Sequence, residues 1–242
     1  MKMTTCVRDS NLSRIVVALI LCFGYFHVSA AVEAEIRLDV EGSGFHRTLI
    51  YHVTFKKLTN DDCPVAIYQE LPSVVHVNVD EIAELRRRGM STICSMGETN
   101  VESFAEKSGW QNVTTCGSIM SLSSYILTIP VHQRYQYSRE TGGSVSVTLP
   151  MPRLLLGCQK RLKDHRISKI NLCDPCVGLA AKWREIPYNV SNSESYEWSI
   201  PVGDSSLLTL VTYVTLLFTA VGAILIVCAI HVNVSKNHLK QD

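Results

Sequence analysis

Leu207–Ile230, LLTLVTYVTLLFTAVGAILIVCAI, runs without a single charge. With the serines before it, about 25 residues at 1.5 Å each reach roughly 37 Å as a helix, more than the roughly 30 Å of bilayer hydrocarbon. The stretch therefore predicts a membrane-spanning helix over 204–231. Asp204 bounds it on one side, and His231, Lys236, His238 and Lys240 follow on the other. Lysines after the span and acids before it (Glu194, Glu197, Asp204) place the tail, 232–242, in the cytosol by the positive-inside bias. A glycolipid-anchor signal would end the chain on its hydrophobic tail, whereas here mostly polar residues follow it.

The opposite end completes the topology. Lys2, Arg8 and Arg14 precede a short apolar core, Ile15–Phe26, and Val28-Ser29-Ala30 offers small residues for cleavage. Residues 1–30 are thus expected to be a secretory signal, with the mature chain starting at Ala31. A type I single-span protein follows, with residues 31–203 in the secretory lumen or outside the cell. That segment is long enough for one domain with its own core. It carries 18 Lys/Arg against 19 Asp/Glu, so it offers no net field to attract nucleic acid.

Topology also divides the nine cysteines. Cys6 and Cys22 belong to the signal and Cys228 to the span. Cys63, Cys94, Cys116, Cys158, Cys173 and Cys176 remain, an even number in an oxidising compartment. They are expected to form disulfides whose pairing spacing does not choose.

Along 31–203 the prevailing signal is period-two alternation. It runs through Ile36–Val40, Leu49–Phe55, Val75–Val79, Tyr125–Val131, Val145–Leu149 and Tyr196–Ile200. Short alternating strands with polar or glycine-bearing connections predict a mainly β, antiparallel sandwich-like domain. Pro130, Pro150 and Pro152 are expected at strand edges or ends. One short helix is predicted at Asp80–Gly89, with acids in its first turn, arginines in its last and a terminal glycine. The polar stretch Gly97–Ser118 reads as a long loop. It holds the sequon Asn112-Val113-Thr114, and Asn189-Val190-Ser191 is a second; both are expected to be exposed glycosylation sites.

Chemistry is sparse. Cys173-Asp174-Pro175-Cys176 has redox-pair spacing but no strand–helix context and no second pair for zinc, so structural disulfides are preferred. There is no G-x-S-x-G, and His46, His52, His76, His132 and His165 are scattered. The paired-carboxylate motif of many sugar transferases has only Asp39-Val40-Glu41 as an approximation. No catalytic, cofactor or metal set is read, and the basic run Lys160–Lys169 reads as a solvated loop.

Gly44-Phe45-His46-Arg47-Thr48-Leu49, Leu71-Pro72 before the short helix, Ile129–Gln136 (IPVHQRYQ), Leu154–Cys158 and Ile200-Pro201-Val202-Gly203 occur in this order ahead of the span. The set resembles the PIG-X / Pbn1 family over roughly residues 36–230, the FHR and PVHxRY segments being its most specific part. The resemblance implies a non-catalytic type I glycoprotein of the endoplasmic reticulum that stabilises PIG-M, the multi-span catalytic subunit of GPI mannosyltransferase I. That enzyme transfers the first mannose from dolichyl-phosphate mannose to the GPI precursor. The matching motif residues are Phe45, His46, Arg47, Val131, His132, Arg134 and Tyr135, with the choice between holding the fold and touching the partner left open. On the span, Thr212, Thr215, Thr219 and Gly222 share one helix face, where small and hydroxylated residues allow close approach and interhelical hydrogen bonds. The competing readings are an immunoglobulin-like receptor or adhesion protein built on Cys94, Trp110 and Cys158, and a lumenal thiol oxidoreductase using Cys173 and Cys176.

Overall fold

The computed structural model describes residues 32–56, 58, 63–117, 124–160, 162, 165–192 and 195–238. The predicted signal, the start at Ala31, Arg161, Lys163 and Asp164 of the basic run, Glu194 and the last four residues lie outside these.

The chain enters as an antiparallel hairpin, β1 (Glu33–Glu41) and β2 (His46–Lys56), paired along its whole length from Glu33↔Lys56 to Glu41↔Thr48. Gly42 holds φ +92° in the turn, and a β-carbon there would come within 2.8 Å of the His46 carbonyl oxygen. Next come β3 (Val65–Leu71) and β4 (Val75–His76). The expected helix follows as α1 (Val79–Arg87), one residue earlier than its acids suggest. The Asn78 side chain accepts from the amides of Asp80 (2.9 Å) and Glu81 (3.4 Å) and so starts the helix inside the Val75–Val79 run. Only the first two residues of that run are strand. Gly89, at φ +69°, ends the helix by leaving the right-handed region.

The predicted loop Gly97–Ser118 is corrected by the structure. β5 (Cys94–Gly97) and β6 (Gln111–Gly117) form a hairpin within 94–117. The remaining strands are β7 (Ser124–Gln133), β8 (Gly143–Leu149), β9 (Arg153–Leu156), β10 (Arg184–Glu185), β11 (Tyr188–Val190) and β12 (Tyr196–Val202), with the short helix α2 (Cys176–Leu179) before β10.

Two five-stranded sheets result, ordered β11-β1-β2-β7-β4 and β10-β9-β3-β6-β5, with β12 and β8 as a separate pair. Pairing is antiparallel except between β11 and β1, which run parallel. Pro130 sits inside β7 opposite Thr48, where β4, reaching only His132 and Gln133, leaves one flank of the strand open.

The main core fills the space between the sheets. Leu49, Tyr51, Val53 and Phe55 of β2 and Leu127, Ile129 and Val131 of β7 meet Val65, Ile67 and Leu71 of β3 and Leu154 and Leu156 of β9. Trp198 and Ile200 of β12 and Ile82 of α1 join them. Tyr51 carries a polar tip across this layer, donating to Gln69 Oε1 at 2.8 Å. Gln69 in turn donates to the carbonyl oxygens of Glu70 and Pro150. Burial pushes the Tyr51 phenol far above its ordinary range and keeps it a donor.

A second apolar layer lies on the other face of the β3 sheet. There Ala66, Tyr68 and Leu155 pack under Trp183, Cys116 and Cys176. Two disulfides fasten the cover, Cys94–Cys173 and Cys116–Cys176, and a third, Cys63–Cys158, ties the approach to β3 to the end of β9. The two cysteines of the CxxC pair thus belong to different bridges, which removes the thiol-oxidoreductase reading. Cys94 and Cys158 are not partners and Trp110 is 56% exposed, which removes the immunoglobulin-like one.

After β12 a single turn, Ser205–Leu207, capped by the Asp204 carboxylate, leads into α3 (Leu208–His238). The segment Ser205–Asn233 is long and apolar enough to cross a membrane, with mean hydropathy 2.5 and no burial against the β domain.

Candidate functional site

The family-like motifs meet at one end of the first sheet. β2 begins at His46, β7 reaches His132 near its end, and β4 contributes His76. The register sets His46 opposite His132, and His132 opposite His76, so three histidines form one row across three neighbouring strands. Cross-strand partners on one face stand close enough for rings to touch. The imidazoles of His46 and His132 meet edge to face at 4.5 Å, and those of His76 and His132 lie 5.5 Å apart.

The row lies on the outer face of the sheet, because Val131, the neighbour of His132, points into the core. Directly after β4 the Asn78 cap turns the chain into α1, and the first helical turn brings Glu81 over the row. Its carboxylate Oε2 lies 2.7 Å from His132 Nε2. Ligand atoms of His46, Glu81 and His132 all fall within 4.8 Å of one another. His76 is 6% exposed, with Nδ1 buried and unpartnered. Burial, with Arg134 and His132 nearby, lowers its pKa to about 4, so it is neutral at ordinary pH.

The arginines of the two motifs have a different task. Arg47 lies on the side of β2 that faces the interior, donating to Tyr196 Oη (3.0 Å) with its guanidinium 4.6 Å from the centre of the Trp198 ring. It binds the main sheet to β12. Arg134 is 2% exposed. Its backbone amide donates to Val74, and its guanidinium donates to the carbonyl oxygens of Asn100 and Ser103, which anchors the 98–106 segment to the sheet. Burial lowers its pKa against the opposing pull of Glu98. Arg47, Val131 and Arg134 therefore hold the fold, while His46 and His132 face outward.

The motif aromatics form an exposed rim beside the row. Phe45 and Tyr135 pack at 5.0 Å while remaining 40% and 69% exposed, and Phe104 and Tyr137 pack at 4.8 Å. The rim's chain continues to Arg139, whose amide donates to Gly203 and whose carbonyl accepts from Ser205, at the foot of the apolar helix. Tyr135, Tyr137 and the helix entry are thus linked within a few residues.

Other expected positions disperse. Asn189 is exposed on the edge strand β11, as anticipated. Asn112 is half-buried within β6, between Glu70 and Met96 on the neighbouring strands, with Thr114 buried rather than looped out. The hydroxyls of Thr212, Thr215 and Thr219 donate to the carbonyl oxygens of Leu208, Val211 and Thr215, each at 2.7 Å. Their protons are given to carbonyls within the helix, which leaves the hydroxyl oxygens as acceptors on that face. Cys228 is the free cysteine among the described residues. Glu81 and His76 were not legible as site members: one reads as an ordinary helix-start acid, the other as a strand histidine. Their sole sequence signal is the short step from His76 through the Asn78 cap to Glu81.

The chain is similar to the human protein named GPI alpha-1,4-mannosyltransferase I, stabilizing subunit, at 26% identity over 209 residues, covering 82% of this chain and 80% of the relative. The mouse and rat proteins of the same name are each 24% identical over 207 residues, covering 82% of this chain and 81% and 82% of theirs. The sequence model of one family, PIG-X / PBN1, matches residues 42–231, from the β1–β2 turn through the histidine row to the end of the apolar segment. The chain belongs to the PIG-X / PBN1 family.

Proposed function

We propose that this chain is the non-catalytic, stabilising subunit of GPI mannosyltransferase I, supporting a multi-span catalytic subunit of the PIG-M type in the endoplasmic-reticulum membrane. The observation that carries the reading is the extent of the family match, which takes in the β domain and the apolar helix as one unit. The names of the three relatives supply the role. In this reading the partner adds the first mannose to the GPI precursor from dolichyl-phosphate mannose, and this chain keeps the partner folded and abundant.

Its orientation is type I. Three disulfides favour an oxidising compartment for the β domain. Asn112 and Asn189 are the glycan acceptors on that side. Enzymatic deglycosylation should then shift the full-length protein by two glycan steps, and Asn112→Gln and Asn189→Gln should each remove one. An unshifted protein would count against the two acceptors and remove this support for a lumenal domain. The partner-facing side combines the Phe45/Tyr135 rim, next to the foot of the helix, with the Thr212/Thr215/Thr219/Gly222 face.

The test is removal of the chain from cells, followed by measurement of the catalytic subunit's steady-state level and of the first mannosylated GPI intermediate. Both should fall together. Normal levels of both would refute the assignment.

A further inference from the structure

We propose that His46, His132 and Glu81 form a binding site for a divalent transition metal, with Zn2+ as the best-matched ion. Two imidazoles and one carboxylate are a borderline nitrogen–oxygen donor set suited to zinc and poorly suited to magnesium or calcium, which favour all-oxygen shells. Their ligand atoms already lie within 4.8 Å of one another. Three ligands held around one zinc at about 2.0–2.2 Å stand roughly 3.3–3.6 Å apart, so the last adjustment is a side-chain movement of about 1 Å. His46 is exposed at the start of its strand and has room to make it.

The backbone fixes the rest. His46 and His132 are opposed by the β2–β7 register, and Glu81 is set by a capped helix start. Among the described residues the ion-pair partner of Glu81 is His132, and no lysine or arginine competes for the carboxylate. Beside His132, on the neighbouring strand β4, His76 is more than nine-tenths buried with Nδ1 unpartnered. A mere hydrogen bond between Glu81 and His132 does not account for His46, whose ring meets that of His132 at 4.5 Å. The exposed side at His46 leaves the fourth position to water or to a donor from another molecule. A bound ion would tie α1 to the paired strands β2 and β7, which its first turn otherwise meets here through the Glu81–His132 contact.

The test uses full-length, tag-free protein in detergent, stripped with EDTA and titrated with Zn2+, with Co2+ as a spectroscopic substitute. Expected are one Zn2+ per chain, a rise in Tm of roughly 5–10 °C at a hundredfold excess over Kd, and a tetrahedral Co2+ absorption band. His46→Ala, at an exposed position, and Glu81→Gln should each abolish the band and weaken zinc binding at least tenfold. His52→Ala, which removes a histidine paired with Asp39 on another part of the same sheet, should leave both intact. Unchanged Tm in wild-type protein, or equal zinc binding by wild type and the His46 and Glu81 variants, would overturn the site.

Discussion

At the residue scale, Arg134 shows how one short motif divides its work. His132 points out of the sheet toward Glu81, and two positions later the guanidinium of Arg134 is folded under the 98–106 segment, donating to two carbonyl oxygens. Hydrogen bonds from a charged donor contribute about 1.5–3 kcal/mol each, and the carbonyls left behind lose a partner in a nearly dry site. Arg134→Ala should therefore destabilise the domain by about 2–4 kcal/mol. The 98–106 segment should become the first to exchange its amide hydrogens, read by thermal unfolding and hydrogen exchange on the full chain. His132→Ala, at a half-exposed position, should cost the fold less than half as much. Equal losses would mean that the row, too, is mainly structural. The sequence places both residues in one motif but does not reveal this division, because it depends on the 98–106 segment, distant in sequence, folding over Arg134 just past the end of β7.

At the scale of elements, the β3 sheet explains what the sequence concealed. β1, β2, β7 and β12 each have one exposed or half-exposed face, so their alternation is plain. β3 is buried on both faces, Val65 and Ile67 against the first sheet, Ala66 and Tyr68 under the disulfide-held cover. Its sequence, VAIYQEL, consequently has no polar side to mark a period. β9 is hidden in the same way, and β6 is masked by its threonines and a sequon. The cover itself has little regular structure and depends on Cys94–Cys173 and Cys116–Cys176, with Arg86 of α1 donating to the Asp174 carbonyl. Loops of 79 and 60 residues give about 4 kcal/mol for either bridge alone by chain entropy. The two close on the same segment, so their contributions overlap. Replacing Cys116 and Cys176 by serine should cost about 2–4 kcal/mol. Removing all four cysteines should free the cover, so that trypsin cuts first at the exposed Lys169 and Lys182 while β1, β2 and β7 stay protected. Cleavage beginning in β2 or β7 would show that the cover and the sandwich unfold as one unit.

At the scale of the whole molecule, two parts differ in legibility for a physical reason. The apolar helix was readable from composition alone, since crossing a bilayer needs only length and the absence of charge, and Ser205–Asn233 has both. The histidine row was not, since His46 and His132 stand 86 positions apart and meet only through strand register. The family-like segments converge on one end of the first sheet, and nothing in them assigns work to Glu81. Helix and domain are joined firmly: the amide of Arg139 donates to Gly203, and Ser205 donates back to Arg139, so the β domain is held against the turn that leads into α3 rather than hung on a loose tether. A partner gripping the helix would thereby orient the aromatic rim. What the Thr212, Thr215, Thr219 and Gly222 face offers is small bulk, together with oxygen atoms still able to accept, because the hydroxyl protons are already given to carbonyls one turn back. Leucine at all four positions would preserve hydropathy and helix length while filling that face. Co-purification with the catalytic subunit should then fall several-fold, while membrane insertion and the chain's own Tm stay unchanged. Serine at the three threonine positions should retain the complex, since it keeps both the small volume and the acceptor oxygens. Full co-purification of the leucine variant would leave the rim and the β domain to carry the association.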